Sequence, residues 1–373
     1  MTDDTPRGHA AELADALLDW YAAHQRDLPW RRTDDPYRIW VSEVMLQQTR
    51  VTAVIPYYEH FLTRFATVQA LAEAELSEVL ALWQGLGYYA RARSLHRAAR
   101  IVVAEHGGQL PADRDALLAL PGIGDYTAGA LLSIAFGQDA VALDGNVKRI
   151  LARLFDYDDD IGTTAAQRTL EGHARALLPA GRARAFNQAL MDLGTAVCLP
   201  GVPACGACPI AAWCLARARG VQEQRPVRTR RGPNPTVQMV AAYAKRDDGR
   251  WLIARRRPQG LLGGLWELPS FVVPADANAA SASEPPATLL AEALAQELHV
   301  GADVGDERLT VAHGYSHFKV RVRVYVCRLS SEPALQEHPT WDALHWLTPD
   351  QLADYGLTGV TVKALDQLQG TLL

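Results

Sequence analysis

The spacing of apolar residues divides the chain into two regions. Up to residue 222, apolar residues recur every three or four positions, as in amphipathic helices. The clearest such segments are AELADALLDWYAAH, PYRIWVSEVMLQQ, LAEAELSEVLALWQ, YARARSLHRAARIVVAEH and NVKRILARLF. Residues 10–222 are therefore predicted to be mostly helical. Residues 223–236 contain three prolines and four arginines without apolar periodicity, which is typical of an interdomain linker.

The pattern beyond the linker is that of strands. TVQMVAAYAKRDDGRWLIARRR predicts two strands joined by an Asp-Asp-Gly turn, and ATLLAEALAQELHV predicts a helix. In FKVRVRVYVCRL, strict alternation places Val320, Val322, Val324 and Val326 on one face, as in a half-buried strand with a basic outer face. Residues 237–373 are therefore predicted to be a separate α+β domain.

Composition narrows the possible classes of protein. A chain of 373 residues with 49% hydrophobic and 21% charged residues is ordinary for a globular protein of two or three domains. No apolar run reaches the roughly 20 residues that cross a bilayer, and MTDDTPRGHA lacks the pattern of a signal peptide, so a cytoplasmic location without membrane association is expected. The net charge of −5 argues against a non-specific DNA coat, so any nucleic-acid surface must be local.

One local basic surface is indicated between Glu78 and Glu105, where no acidic residue occurs. Arg93, Arg97 and Arg100 recur there at helical spacing and would share a face. A face that contacts phosphates is favoured, and a solvated helix face is the alternative.

The segment LPGIG, which contains Gly122 and Gly124, predicts a tight turn between two helices. Pro121 would end the first helix, and both glycines could adopt backbone angles that are closed to other residues. Amide hydrogens at the start of the next helix would suit a phosphate group. An ordinary helix–helix connection is the alternative.

Two carboxyl groups are candidates for acid–base chemistry. Glu43 has Ile39, Trp40 and Leu46 as helical neighbours, and this apolar face should raise its pKa, as a general acid requires. Asp144 begins a predicted helix, where the dipole and free amides should favour its ionised form. The two pKa values would thus be pushed apart. A structural glutamate and a helix-capping aspartate are the alternatives.

Four cysteines form a compact group with the spacing C-x6-C-x2-C-x5-C: Cys198, Cys205, Cys208 and Cys214. Disulfides are not expected in a cytoplasmic protein. The spacing suits either zinc or a [4Fe–4S] cluster, and the single C-x2-C pair favours the cluster.

The order of these motifs resembles the helix-hairpin-helix DNA glycosylases with an iron–sulfur cluster. LPWR, SEVMLQQT, GLGYYARAR, LPGIGDYTA, LDGNV and the cysteine loop match the adenine-specific, MutY-type branch over about residues 10–370. The resemblance implies a multidomain protein with an all-α helix-hairpin-helix catalytic region and a C-terminal α+β Nudix-like domain. The implied bounds are a helical region at 1–222 (a six-helix subdomain at about 25–140, a cluster subdomain at 1–24 and 141–222), a linker at 223–236 and the Nudix-like domain at 237–373.

The resemblance also implies an activity, which is hydrolysis of the N-glycosidic bond of adenine mispaired with 8-oxoguanine or guanine in duplex DNA. The enzyme would act as a monomer, extrude the adenine from the helix before chemistry and carry a [4Fe–4S] cluster.

Individual roles follow from the matched motifs. Glu43 would protonate adenine N7, while Asp144 would stabilise the positive charge on the sugar, with Asn146 orienting it and Tyr126 beside them. The remaining implied residues are Trp30, Arg31 and Gln188 for the adenine pocket, Gln48, Thr49, Leu86 and Tyr88 for the wedge near 8-oxoguanine, Gly122 and Gly124 for phosphate, and Cys198, Cys205, Cys208 and Cys214 for the cluster.

The sequence departs from the relatives that also cut the DNA strand. In those enzymes a lysine stands at the second position after the last glycine of LPGxG, whereas here Tyr126 does. Lys148 is the only lysine before residue 245. A monofunctional glycosylase is therefore expected, and a glycosylase/lyase of the thymine-glycol type is disfavoured.

The C-terminal region resembles a Nudix domain with an incomplete metal-binding motif. GLLGGLWELP resembles the start of a Nudix box, but the helix that follows offers only Glu292 and Glu297. Pyrophosphatase activity is therefore not expected. Tyr315, Ser316 and His317 resemble a Phe-Ser-His loop that reads 8-oxoguanine, with tyrosine in place of phenylalanine. A non-catalytic DNA-binding relative and a Nudix hydrolase are the alternative functions.

Overall fold

The computed structural model describes residues 6–229, 232, 234–274, 286–315 and 317–369. These residues form two compact units, each of which draws on two segments of the chain. Met1–Glu73 and Ser94–Arg231 bound the first unit, and Ala74–Arg93 and Gly232–Leu373 bound the second. Among the described residues, no helix has the length and apolar character needed to cross a membrane.

The predicted helical region is confirmed. Its helices in chain order are α1 (Ala10–His24), α2 (Pro36–Leu46), α3 (Val51–Arg64), α4 (Val68–Glu73), α5 (Leu76–Leu82), α6 (Ala90–Glu105), α7 (Arg114–Ala119), α8 (Asp125–Ala130), α9 (Gly145–Leu154), α10 (Thr164–Leu177), α11 (Ala183–Ala196) and α12 (Leu215–Ala218). A π-helical turn, Leu131–Ala135, continues α8. Side chains cap several of the helix starts; the Asp35 carboxylate, for example, accepts the amide of Tyr37 at 2.9 Å.

The core that supports the cysteine loop lies among α1, α9, α10 and α11. Leu17, Ile150, Phe186 and Leu193 are almost fully buried in it, and Cys198 belongs to the same apolar cluster. The first and last parts of this unit therefore fold against each other.

The turn between α7 and α8 constrains its two glycines differently. Gly122 has φ of +82°, and a Cβ atom there would lie 2.6 Å from the Cβ of Ser94. Gly124 has φ of −105°, and a Cβ atom there would have no other atom within 4 Å. Of the two glycines, Gly122 adopts a backbone angle that is closed to other residues, whereas Gly124 has an extended backbone and free space beside it.

The second unit contains two sheets and two flanking helices. Its strands are β1 (Thr236–Ala244), β2 (Trp251–Arg256), β3 (Trp266–Glu267), β4 (Ser270–Val272), β5 (Ala302–Gly314), β6 (Lys319–Leu329) and β7 (Trp341–Leu347), and its helices are α13 (Pro286–Glu297) and α14 (Gly359–Gln369). One sheet has the order β4-β1-β6-β5, with β1 parallel to β6, and the other has the order β3-β2-β7. The α+β prediction is confirmed, and β1 and β2, predicted as two strands joined by a turn, lie in different sheets.

Strand β6 packs on both of its faces, which corrects the predicted burial. Val320, Val322 and Val324 are buried in one apolar cluster, as predicted. Val326, predicted to be buried with them, is 43% exposed, and Tyr325 on the other face is 6% exposed. The second half of the strand faces the cluster beneath α13, so its buried side changes midway.

Residues 74–93 group with the second unit, although the sequence analysis assigned them to the helical region. The Arg93 guanidinium donates to the carbonyl of Gly263 at 2.7 Å. The amide of Leu357 donates to the side-chain oxygen of Gln84 at 3.3 Å. These bonds to distant parts of the chain are invisible to local periodicity.

Replacing the two turn glycines should give opposite results. Gly122→Ala is expected to lower the free energy of unfolding by about 1–3 kcal/mol, because alanine is strained at positive φ and its methyl group would collide with Ser94. Gly124→Ala is expected to be neutral or to stabilise by about 0.5 kcal/mol. Denaturant unfolding of both variants measures the contrast, and equal losses would contradict it.

Candidate active site and cysteine loop

A cleft of about 890 Å³ in the first unit brings together most of the residues singled out in its sequence. The sequence-predicted residues in its lining are Trp30, Arg31, Glu43, Gln48, Thr49, Gly124, Tyr126, Asp144, Asn146 and Gln188. Gly122 is absent from this lining, and it shapes the turn that precedes Gly124 instead. The cleft also contains Lys148, noted above as the only lysine before residue 245, and polar residues that the sequence analysis did not select, among them Arg26 and Gln167.

Glu43 is a buried acid with one occupied oxygen. It lies on α2 with 5% of its surface exposed, and the Tyr126 hydroxyl donates to its Oε2 at 2.6 Å. Burial raises the pKa of Glu43 to about 7; the negative charge of Asp144 adds to the rise, whereas the Tyr126 bond opposes it. The direction agrees with the sequence analysis, and a substantial fraction of this carboxyl is protonated near neutral pH.

Asp144 caps α9 and is held by two neighbours. Its Oδ1 accepts the amide of Val147 at 2.6 Å, and its Oδ2 accepts the side-chain NH2 of Asn146 at 3.0 Å. Burial raises the pKa of Asp144, although these hydrogen bonds oppose the rise. The amides at the helix start favour the ionised form, as expected, but burial outweighs them and the net change in the pKa of Asp144 is upward.

One wall of the cleft is organised by Asp192, a buried residue of α11 that the sequence analysis missed. Arg31 donates to Oδ2 of Asp192 at 2.7 Å, and Arg26 donates to Oδ1 at 2.8 Å. Burial would raise the pKa of Asp192, but the hydrogen bonds and charges of the two arginines lower it overall. Asp192 follows Gln188 by one helical turn, and this spacing was the available sequence signal.

The remaining pocket residues are held by aromatic and polar contacts. Trp30 packs edge-to-face on Tyr58, with 5.4 Å between the ring centroids. Gln188 is 7% exposed and accepts the Tyr21 hydroxyl at 2.5 Å through its side-chain oxygen. Each predicted pocket side chain is thus fixed by a partner on another element.

The four cysteines Cys198, Cys205, Cys208 and Cys214 line one small cavity of about 30 Å³ beside α9. Burial raises the pKa of Cys208 to about 11 and also raises that of Cys214. In the part of the chain that the structure describes, no three His, Cys, Asp or Glu side chains converge closely enough to hold a metal ion.

Arg153 ties the cysteine loop to α9. It is 2% exposed and donates to the carbonyls of Leu199, Gly201 and Gln222 and, at 3.3 Å, to the Cys198 sulfur. These bonds satisfy a buried guanidinium without a carboxylate partner. The sequence analysis did not single out this residue.

Arg149, one helical turn before Arg153, joins the two sites. Its guanidinium donates to the side-chain oxygen of Asn146 at 3.1 Å and to the carbonyl of Cys198 at 2.9 Å. A continuous set of hydrogen bonds therefore runs from Asp144 through Asn146 and Arg149 to the first cysteine.

The predicted wedge residues are divided between the two units. Gln48 and Thr49 lie on the cleft of the first unit, and Gln48 has a positive φ of 58°. Leu86 and Tyr88 belong to the second unit, where Tyr88 is 44% exposed and Leu86 is buried. Tyr88 is thus available on the surface, whereas Leu86 contributes packing.

The predicted reading loop follows β5. Tyr315 packs against Phe318, with 4.8 Å between the ring centroids, and burial raises the pKa of Tyr315 to about 12. His317 is exposed, and Ser316 lies outside the described residues.

The predicted basic face near GLGYYARAR is partly used within the protein. Arg91 is buried, with its guanidinium 5.5 Å from the Trp83 ring centroid, and it donates to the carbonyl of Gly87. Arg97 and Arg100 remain exposed.

Comparison with known families gives two matches along the chain. Residues 41–175 match the family described as HhH-GPD superfamily base excision DNA repair protein. Residues 240–367 match the NUDIX domain family.

Several relatives match almost the whole chain. The adenine DNA glycosylase of Homo sapiens is 35% identical over 95% of this chain and 73% of its own length. The adenine DNA glycosylase of Mus musculus is 34% identical over 95% of this chain and 78% of its own length.

Solved structures resemble the helical part. A thermostable thymine-DNA glycosylase has 30% identity and a TM-score of 0.51 over 56% of this chain and 97% of that protein. Endonuclease III in a non-covalent DNA complex has 22% identity and a TM-score of 0.50 over 59% of this chain and 97% of its own, a likeness of fold.

Proposed function

The chain belongs to the adenine DNA glycosylases, base excision repair enzymes that hydrolyse N-glycosyl bonds, and we propose that it removes adenine paired with 8-oxoguanine or guanine from duplex DNA without cutting the strand. The observation that carries this proposal is the pairing of Glu43, a buried acid with a pKa of about 7, with Asp144 in one cleft. The monomeric state, the cytoplasmic location and the subdomain bounds stay predictions of the sequence.

Glu43 acts as the general acid. An adenine leaves the sugar far more readily when a ring nitrogen is protonated, and a carboxyl with a pKa near the working pH is suited to that transfer. Because Tyr126 donates to Oε2, the acid proton of Glu43 is left to Oε1. After bond cleavage the resulting carboxylate is stabilised by the same Tyr126 hydroxyl and can accept a proton from water.

Asp144 stabilises the positive charge that develops on the sugar as the bond breaks. Val147 and Asn146 each hold one of its oxygens, so the carboxylate is oriented before substrate arrives. A charge positioned in advance within a buried site costs little reorganisation during the reaction.

The extruded adenine occupies the part of the cleft lined by Trp30, Arg31 and Gln188. Asp192 is shared there by Arg31 and Arg26, so the wall offers hydrogen-bond donors and one net positive charge beside Glu43. The polar cleft and the amides of the α7–α8 turn, which includes Gly122 and Gly124, would receive the DNA strand.

Preference for 8-oxoguanine is assigned to residues of both units. Ser316 and His317 match the reading loop of the resemblance, Tyr315 stands in place of its phenylalanine, and the NUDIX match covers all three. The residues that would fill the duplex near the lesion are Gln48, Thr49, Leu86 and Tyr88.

The four cysteines Cys198, Cys205, Cys208 and Cys214 are proposed to hold a [4Fe–4S] cluster. They fit it because four thiols line one cavity and the Arg153 guanidinium, a donor suited to an anionic sulfur, points at Cys198. When bound, the cluster would tie together four points of the loop, and bond cleavage belongs to the cleft.

A single-turnover assay tests the activity directly. The substrate is a duplex with one adenine opposite 8-oxoguanine, compared with one opposite guanine. We expect strand breaks only after alkali, with faster product formation opposite 8-oxoguanine. Glu43→Gln and Asp144→Asn should each lose at least about 10²-fold to 10³-fold in rate while retaining duplex binding. Glu59→Gln, at an exposed position of α3, is the matched control.

Other outcomes of that assay would contradict the proposal. Breaks without alkali would reveal a lyase nucleophile, first of all Lys148, which lines the cleft and whose pKa is lowered by burial. Absence of adenine release would favour the non-catalytic binder.

The pH dependence of kcat/KM reports the acid form of Glu43. Because the proton donor is lost as pH rises, the rate should fall tenfold per pH unit above about 7. The Tyr126 bond lowers the pKa of Glu43, so Tyr126→Phe should move this fall to higher pH. A shift to lower pH would contradict the role of the bond.

The cysteine loop should lose its metal when Arg153 is shortened. Arg153→Lys keeps the charge but cannot reach all of the loop carbonyls, so iron and sulfide per purified chain should fall below the wild-type level of about four each. Arg168→Lys, which changes an exposed arginine of α10 outside the lining of this cavity, is the control. Full occupancy in Arg153→Lys, or no iron in the wild type, would contradict the assignment.

A further inference from the structure

A hydrogen bond from Tyr21 engages the side-chain oxygen of Gln188 and leaves the amide NH2 group available to a ligand. A glutamine amide can turn its oxygen or its NH2 group toward a ligand. Here the Tyr21 hydroxyl donates to the Gln188 oxygen at 2.5 Å. With its oxygen engaged in this way, the amide has its NH2 group left for the cleft that it lines.

Tyr21 is itself fixed by packing between α1 and α11. Its side chain is 6% exposed and belongs to the apolar cluster that contains Leu17 and Leu193. The Arg31 guanidinium lies 5.7 Å from the centroid of its ring, and Asp192 holds that guanidinium with two hydrogen bonds. The hydroxyl therefore cannot follow a rotated amide without disturbing the cleft wall.

We propose that Tyr21 is a positioning residue that sets base selectivity by orienting the Gln188 amide, so that its NH2 group donates to a ring nitrogen of the extruded adenine. This inference rests on the proposed function. Adenine presents acceptor nitrogens on its rings, and a donor facing one of them attracts it, whereas an amide oxygen in the same place would repel it. Without the Tyr21 hydroxyl, both amide orientations become available and the donor is no longer enforced.

Single-atom analogues of adenine test this orientation. The duplex substrate carries adenine, 1-deazaadenine or 3-deazaadenine, in which a C–H group replaces one ring acceptor. The rate of wild-type protein on one analogue, relative to its rate on adenine, should be about fivefold to tenfold lower than the same ratio for uncatalysed hydrolysis of the two glycosidic bonds. Tyr21→Phe should slow adenine by about twofold, the loss expected when the two amide orientations are equally populated, and leave the rate on that analogue nearly unchanged.

Two further variants make the result specific. Gln188→Met removes the amide with little change in volume and should slow adenine while sparing the same analogue, as Tyr21→Phe does. Gln188→Met therefore tests the inference even if Tyr21→Phe folds poorly. Tyr37→Phe is the matched control, because it removes another buried hydroxyl, one that donates to the carbonyl of Phe65 at 2.8 Å. It should retain the wild-type ratio between adenine and analogue.

The outcomes separate this inference from the proposed function. Equal slowing of all substrates by Tyr21→Phe, or a wild-type protein indifferent to both analogues, would overturn the orientation. A wild-type protein that releases no adenine from any duplex would overturn the glycosylase proposal and this inference with it.

Discussion

The first unit depends on burying charged groups without leaving them unpaired. Asp192 and Arg153 are nearly inaccessible to water, and each has several hydrogen-bond partners from distant parts of the chain. Glu43 accepts a hydrogen bond from the neutral Tyr126 hydroxyl, and burial still raises its pKa to about 7. Asp192 fixes one wall of the cleft and Arg153 fixes the cysteine loop, whereas the carboxyl with the raised pKa retains a proton for chemistry.

Local sequence features predicted a large part of this arrangement. Helical periodicity, the strand pattern after residue 236 and the capping position of Asp144 depend on neighbours a few residues away, which the sequence displays. The location of Tyr126 beside Glu43 and Asp144 was implied by the family resemblance, whereas the hydrogen bond between Tyr126 and Glu43 was not. These features needed no knowledge of how distant segments pack.

Where the sequence-based expectations failed, a distant segment decided the outcome. The pKa of Asp144 rises because other elements bury it, and Val326 is exposed because the covered face of β6 changes along the strand. The importance of Asp192 and Tyr21 could not be seen, because Asp192 pairs with arginines more than 160 residues earlier in the chain and Tyr21 bonds to a residue equally distant. Periodicity shows which side of a helix is apolar, but it does not show which charged group from a distant segment will contact that helix.

Helix α9 fixes the spacing between the cleft and the cysteine loop. Asp144 stands at its start, and Arg149 and Arg153 reach the loop from positions one turn apart, a rise of about 6 Å. Insertion of a single residue between Asn146 and Arg149 would rotate every later side chain by about 100° and withdraw both guanidinium groups at once. Insertions and deletions should therefore be tolerated in the surface loops around this helix and excluded from within it, whatever residue is added.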